Sequence, residues 1–146
     1  MKAALVFATC SFVFLGYLMV TRGGVAPTPD ALTRVSADDI ETAVEMAREQ
    51  DRVVVAIATA DWCPPCQTYK RNALVDERVE RWMRENAVAV IVDTTDRQAP
   101  NPDAAALGVR SIPATYVINA DAQIVTHATG ALTADDLLTM LDTATN

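Results

Sequence analysis

The sequence has few of the residues on which zinc sites and nucleic-acid-binding surfaces depend. Its 146 residues include one histidine and three cysteines, and its 12 Lys and Arg are outnumbered by 19 Asp and Glu. Lys2 and Arg22 are the only charged residues up to residue 22, so the rest of the chain has 10 basic and 19 acidic residues, a net charge of −9. Such a surface repels nucleic acid and anionic lipid. With one histidine and no second cysteine pair, the ligands of a zinc site are missing, and no metal is expected.

Internal repeats are also absent, and the chain is too short for two domains. Hydrophobic residues make up 51% of it, which is enough to bury one compact core. They are concentrated at residues 3–20, where only four residues interrupt the apolar run. Cys10 lies in this run and is most simply a small hydrophobic residue there.

The apolar run is close to the length of about 20 residues that spans a bilayer, and it also fits a secretory signal. Residues 1–22 are therefore predicted to be a signal anchor or a signal peptide that is removed. The first alternative anchors the protein in the inner or plasma membrane with its domain in the periplasm or otherwise outside the cytoplasm. The second releases it into the periplasm.

The next segment, residues 23–35, has two glycines, two prolines and no periodicity, which is typical of a linker. A single domain is predicted for residues 36–146. Hydrophobic periodicity and turn residues predict the order α-β-α-α-β-α-β-β-α, and hence an α/β fold. The predicted elements are a helix at 37–50 begun by a capping box at Ser36, a strand at 53–58, a helix at 67–73, a helix capped by Asp76, a strand at 87–92, a helix at 103–107 stopped by Gly108, strands at 115–118 and 123–127, and a helix begun by a capping box at Thr133.

The remaining two cysteines, Cys63 and Cys66, are separated by two prolines. A bond between residues so close removes little chain entropy, so the pair is a better redox couple than a structural staple. Cys63 follows a predicted strand and precedes a predicted helix, whose first N–H groups and dipole favour a thiolate. Cys63 is therefore the expected nucleophile, and Cys66, one helical turn away, would resolve the mixed disulfide. Pro64 suits the first helical turn because it has no N–H to leave unpaired.

Three segments in order resemble the thioredoxin superfamily: residues 60–66 (Ala-Asp-Trp-Cys-Pro-Pro-Cys), 108–113 (Gly-Val-Arg-Ser-Ile-Pro) and 129–132 (Thr-Gly-Ala-Leu). The resemblance covers about residues 36–145. Residues 61–63 (Asp-Trp-Cys) together with residues 73–79 (Ala-Leu-Val-Asp-Glu-Arg-Val) most resemble the C-terminal thioredoxin-like domain of DsbD-type thiol:disulfide interchange proteins. The chain departs from cytoplasmic thioredoxin at Arg71, where that protein has a kinking proline.

The resemblance implies a thioredoxin fold, with a central mixed sheet flanked by helices, and a cis peptide between Ile112 and Pro113 beside the sulfurs. It makes Trp62, Ile112 and Pro113 the residues of the substrate groove. A proline there has no N–H, which leaves neighbouring backbone free to pair with an extended substrate. No cofactor is implied, because the dithiol of Cys63 and Cys66 carries the electrons itself.

Two positions depart from the family pattern. Many relatives have a buried aspartate six residues before the first cysteine and a lysine partner on the next strand, where this chain has Ile57 and Ala89. Losing both avoids an unpaired buried charge. The proton of Cys66 then needs another acceptor, and the candidates are Asp61, the nearest acid in the sequence, and water.

The expectation from these features is a membrane-tethered thiol–disulfide oxidoreductase outside the cytoplasm that reduces protein disulfides. Its partners would be protein thiols or disulfides, an upstream membrane or extracytoplasmic electron donor, and the membrane itself through residues 3–20; nucleic acid is excluded. Two alternatives stay open. One is a non-catalytic binding or assembly module that uses the same fold. The other is a dedicated redox relay for maturation of cytochrome c or of a metallochaperone.

Overall fold

A computed structural model of the protein describes residues 24–34 and 36–145. The segment predicted to be a signal or anchor lies outside these residues. In the described part of the chain, no helix is both long and apolar enough to cross a bilayer.

A five-stranded mixed sheet forms the centre of the fold, in agreement with the predicted α/β class. The strands are β1 (Ser36–Ala37), β2 (Val53–Thr59), β3 (Ala87–Asp93), β4 (Ala114–Ile118) and β5 (Ile124–Thr129). Their order across the sheet is β1-β3-β2-β4-β5. The pairs β1–β3 and β3–β2 are parallel, whereas β2–β4 and β4–β5 are antiparallel.

In the part of the chain that the structure describes, five α-helices lie on the two faces of the sheet. They are α1 (Ile40–Gln50), α2 (Pro64–Arg71), α3 (Glu77–Asn86), α4 (Pro102–Ala106) and α5 (Ala134–Thr145), and short 3-10 turns form at Asp30–Leu32 and Ala73–Val75. Because side chains alternate along a strand, Val55 and Ile57 of β2 face α2, α3 and α5, while Val54 and Ala56 face α1. The central strand is thus buried on both faces, which explains its continuous apolar sequence.

The prediction that Ser36 begins the first helix is wrong. Ser36 and Ala37 form β1, which pairs with Ala89 and Val90 of β3. The helix cap is Asp39, whose Oδ1 accepts a hydrogen bond of 2.7 Å from the backbone N–H of Thr42. The backbone before Asp39 is used for sheet pairing, so the helix starts three residues later than the capping-box pattern indicated.

The helix of the cysteine motif also differs from its predicted bounds of 67–73. It begins at Pro64, as the proline's fixed φ favours, and it ends at Arg71 before the 3-10 turn. The other caps agree with the sequence: Asp76 caps α3, the Thr133 hydroxyl accepts from the N–H of Asp136, and Gly108 (φ 64°) follows the short α4.

Part of the predicted linker packs against the domain. Leu32 is 1% exposed and joins the apolar cluster of α3 and α5, and Ala26 is 5% exposed. Arg34 forms an exposed ion pair with Asp30 one turn earlier. The division of the chain at residues 22 and 35 stays a prediction, but the described residues before Ser36 are in contact with the fold that follows.

The sheet brings three loops to one edge. Since β2 and β3 are parallel and β4 is antiparallel to β2, the ends of β2 and β3 and the start of β4 lie together. Residues 60–66, 94–97 and 108–113 occupy this edge. The turn between β4 and β5 lies at the opposite edge, because Ile118 pairs with Val54 near the start of β2.

Candidate active site

The cysteine pair lies where β2 gives way to α2. Cys63 is the N-cap of α2, and its Sγ accepts the backbone N–H of Cys66 at 3.2 Å. The two cysteines form a disulfide with a Cα–Cα distance of 5.3 Å, so the sulfurs are within bonding distance as redox chemistry requires. Cys63 is 4% exposed and Cys66 is fully buried. The difference leaves Cys63 as the sulfur that a substrate reaches first.

The start of α2 supplies groups that stabilise a thiolate on Cys63 once the disulfide is reduced. The backbone N–H of Cys66, which donates to Sγ of Cys63, and the positive end of the α2 dipole both lie at this sulfur. Both stabilise negative charge on this sulfur and favour its attack on a disulfide.

The Ile112–Pro113 peptide is cis, as the family resemblance implies. Ile112 packs against the cluster of Ala60, Cys63 and Cys66, and its carbonyl oxygen lies 3.9 Å from Sγ of Cys63. The carbonyl of Pro113 accepts the N–H of Gly130 at 2.8 Å, where Gly130 has a φ of 100° that favours glycine. The three sequence segments that carry the resemblance therefore meet around one disulfide.

Trp62 stands beside the pair and is 49% exposed. Its Nε1–H donates to the carbonyl of Thr95 at 3.1 Å, and the guanidinium carbon of Arg97 lies 4.2 Å from the ring centroid. The Thr95 hydroxyl accepts from the backbone N–H of Asp61 at 3.0 Å and is 2.5 Å from Oδ1 of Asp93. The loop after β3 thus holds Trp62, the residue before Cys63.

Sequence reasoning missed this loop. The sequence feature that could have indicated it is the pair of threonines after the buried strand β3. This strand neighbours β2, which ends just before the cysteines. In a parallel pair these two strand ends lie side by side.

Gln67 is a second residue that sequence reasoning missed. Its side chain is 5% exposed, and Nε2 donates to the carbonyls of Ala60 at 3.1 Å and Asp61 at 3.3 Å. Its Oε1 accepts the backbone N–H of Ala26 at 2.6 Å. Nearby, the guanidinium of Arg71 donates to the carbonyl of Gly24. One buried amide therefore joins the active-site loop to the segment before the domain.

The position that holds a buried aspartate in many relatives is apolar here. Ile57 and Ala89 each have 1% exposure and lie in the cluster beneath α2. Thr115 lies opposite Ile57 on β4, and its hydroxyl lies 2.9 Å from that of Tyr69. Burial raises the pKa of Tyr69 to about 12, so its hydroxyl is neutral at pH 7.

Asp61, the candidate proton acceptor, is exposed, whereas Cys66 is buried. Its backbone is held by Thr95 and Gln67, but its carboxylate forms no hydrogen bond with the residues that the structure describes. It lines a shallow groove of about 290 Å³ beside the cysteine loop. The groove is lined by Asp61, Trp62, Pro64, Gln67, Thr68 and Arg71. The proton-accepting role of Asp61 stays a hypothesis.

Across residues 24–34 and 36–145, no cluster of His, Cys, Asp and Glu could hold a metal ion. Exchange between a dithiol and a disulfide moves two electrons without a metal or a bound cofactor.

A fully buried Cys66 bonded to Cys63 at the start of α2, beside a cis-proline on this sheet, defines a thiol–disulfide oxidoreductase of the thioredoxin type. A family model described as a thioredoxin-like domain matches residues 40–145, and the chain belongs to this family. No curated protein sequence matches the chain closely enough to count as a relative.

Solved structures share the fold at low identity. A thioredoxin from Thermus thermophilus matches with a TM-score of 0.63 and 21% identity, covering 73% of this chain and 83% of its own. A disulphide isomerase from Xylella fastidiosa Temecula1 has a TM-score of 0.62 and 16% identity, with 73% and 88% covered. A DsbH oxidoreductase has a TM-score of 0.60 and 16% identity, with 84% and 93% covered.

Proposed function

We propose that this oxidoreductase works outside the cytoplasm, held at a membrane by residues 3–20, and that it reduces disulfides in other proteins. The observation that carries the chemical part is the nearly buried Cys63 at the N-cap of α2, bonded to the fully buried Cys66 beside a cis-proline. The apolar run ahead of the domain supports the location, because a cytoplasmic reductase needs no such segment.

The reaction uses both sulfurs in turn. The thiolate of Cys63 attacks one sulfur of a substrate disulfide, so a mixed disulfide forms and the other substrate sulfur leaves as a thiolate that takes up a proton. Cys66 then loses its proton and attacks Sγ of Cys63, which releases the second substrate thiol. The protein ends as the Cys63–Cys66 disulfide, oxidised by two electrons, and an upstream electron donor must reduce it for the next turnover.

Two features support reduction as the physiological direction. The first is the resemblance of residues 61–63 and 73–79 to the DsbD-type domain, and the second is Ile112, an apolar residue before the cis-proline that packs on the cluster of Ala60, Cys63 and Cys66. We expect a reduction potential nearer to that of thioredoxin, about −270 mV, than to that of DsbA, about −120 mV. Equilibration of the full-length protein in non-ionic detergent against glutathione buffers of known potential measures it.

Reduction of insulin disulfides tests the activity directly. The wild-type protein should accelerate insulin precipitation in the presence of dithiothreitol, and Cys63→Ser should abolish the acceleration. Cys10→Ser is the matched control, since it removes a thiol that the mechanism does not use. Undiminished activity in Cys63→Ser would discard the enzymatic mechanism and leave the alternative of a binding module.

The location and the partners need separate experiments. Resistance to alkaline carbonate extraction, with the domain open to protease from outside the cytoplasm, is expected for the anchored form. Cys66→Ala should accumulate mixed disulfides with substrates, because the resolving sulfur is gone. If only a cytochrome c maturation factor or a metallochaperone is trapped, the protein is a dedicated relay and general reduction is wrong.

A further inference from the structure

Arg97 has a position that the exchange chemistry does not explain. It is exposed, it lies over the ring of Trp62 at 4.2 Å, and Trp62 directly precedes the nucleophile. Its guanidinium forms no hydrogen bond or ion pair with the residues described in the structure. Several N–H donors of a permanent cation are therefore available to solvent at the rim of the active site.

The carboxylates near Arg97 in the sequence do not pair with its guanidinium. Asp93 accepts the N–H and hydroxyl of Thr95, and Asp96 accepts the backbone N–H groups of Gln98 and Ala99. Both carboxylates therefore bind within their own loop. Asp61 directly precedes Trp62, and among the described residues no ion pair joins its carboxylate to Arg97.

The ring on which Arg97 lies is held in place by the same loop. The indole of Trp62 is held through its Nε1–H to the carbonyl of Thr95, two residues before Arg97. A guanidinium stacked on an aromatic face keeps its edge donors free for a carboxylate. The ring and the cation thus form a surface, Trp62 with Arg97, that is ordered before a substrate arrives.

We propose that the Trp62–Arg97 surface selects polypeptide substrates with an acidic residue next to the cysteine that Cys63 attacks. The net charge of −9 beyond residue 22 does not oppose this, because at physiological ionic strength charges more than about 8 Å apart are largely screened. The carboxylate would bind the guanidinium edge while the substrate cysteine reaches Sγ of Cys63. The proposal rests on disulfide exchange at Cys63, and it does not depend on the membrane anchor or on the physiological direction.

The test measures second-order rate constants of the reduced, full-length protein in non-ionic detergent with three peptides. Each has one cysteine in a mixed disulfide with the neutral 2-mercaptoethanol, and the residue beside that cysteine is Glu, Gln or Lys. A partly exposed ion pair predicts that the Glu peptide reacts about threefold faster than the Gln peptide and that added salt removes the difference. Comparing each variant with the wild type cancels the intrinsic effect of Glu on the peptide disulfide.

Substitutions at position 97 separate recognition from packing. Arg97→Glu should invert the preference so that the Lys peptide reacts fastest, and Arg97→Met, which keeps a long stem on the indole, should abolish it. Arg84→Glu is the matched control: it makes the same charge change on α3, at the opposite edge of the sheet, and should keep the wild-type order.

Three outcomes would overturn the proposal. The first is an unchanged preference in Arg97→Met, and the second is a uniform change of all three rates in Arg97→Glu, which would make Arg97 a modulator of Cys63 alone. The third is a ratio of Glu-peptide to Gln-peptide rates that is the same in the wild type and in Arg97→Glu. If no peptide reacts with the wild type while dithiothreitol cleaves them all, the failure lies in the exchange function itself.

Discussion

The hydroxyls of Tyr69 and Thr115 lie 2.9 Å apart and join the helix of the cysteine motif to the strand that begins after the cis-proline. Tyr69 is three residues after Cys66, on the same buried face of α2, and Thr115 is two residues after Pro113. This hydrogen bond therefore connects the cysteine segment and the cis-proline segment on the buried side of the active site. It lies beside Ile57, where many relatives have a charged group.

Removing one partner of this pair should destabilise the fold. Tyr69→Phe leaves the Thr115 hydroxyl, which is fully buried, without its partner, and we expect a loss of about 1–3 kcal/mol in the free energy of unfolding. Adding Thr115→Val should recover part of the loss, because the unpaired hydroxyl is then gone. Urea denaturation of the oxidised protein measures both effects.

Tyr116→Phe is the control for this prediction, since Tyr116 is the next residue on β4, faces the opposite cluster and stacks on His127. Its effect should be clearly smaller. Equal losses in Tyr69→Phe and Tyr116→Phe would show that the pair contributes no more than ordinary packing.

The stability of the protein should fall at alkaline pH through Tyr69. Burial raises its pKa from 10 to about 12, so the folded state retains a proton that the unfolded state releases more readily. The contribution is complete below about pH 10 and is lost as pH rises towards 12. Urea midpoints between pH 8 and 12 measure the decline, and Tyr69→Phe should show a shallower one. The same slope in both proteins would assign the decline to other groups.

The elements that sequence could predict are those whose signals are local. The strands at Val53–Thr59 and Ala87–Asp93 were predicted within a residue, because each is a continuous apolar run that is buried on both faces. The Asp76 and Thr133 caps were also found, since the side chain binds an N–H two or three residues away. The cysteine pair and the cis-proline could be predicted because they belong to motifs with fixed spacing.

What sequence could not predict are contacts between distant segments. Gln67 binds Ala26, which is 41 residues earlier, and nothing in the composition of residues 23–35 indicates a docked segment. Ser36 illustrates the same limit, because its capping-box pattern was outweighed by pairing with Ala89 on a distant strand. Arg97 over Trp62 depends on a loop conformation that no periodicity encodes.

Gln67 should hold the segment before the domain in place. Gln67→Ala leaves the N–H of Ala26 and the carbonyls of Ala60 and Asp61 without this partner, so we expect a loss of about 2 kcal/mol or more in unfolding free energy. Hydrogen exchange at the Ala26 amide should lose its protection at the same time. Gln50→Ala, at the exposed end of α1, is the control and should change neither quantity. Retained protection of Ala26 in Gln67→Ala would mean that other contacts dock the segment.

Asp61 can be tested as the acceptor of the Cys66 proton in the step that resolves the mixed disulfide. If its carboxylate takes this proton, directly or through water in the groove, Asp61→Asn should slow the resolving step severalfold and move its pH dependence towards that of an unassisted thiol. Rapid-quench measurement of the mixed disulfide between pH 5 and 9 reports that step alone. Asp96→Asn is the matched control, because it removes the same charge from a nearby loop whose carboxylate binds its own backbone. A rate and pH profile in Asp61→Asn equal to those of the wild type would leave water as the acceptor, since Ile57 and Ala89 offer no charged group beneath the pair.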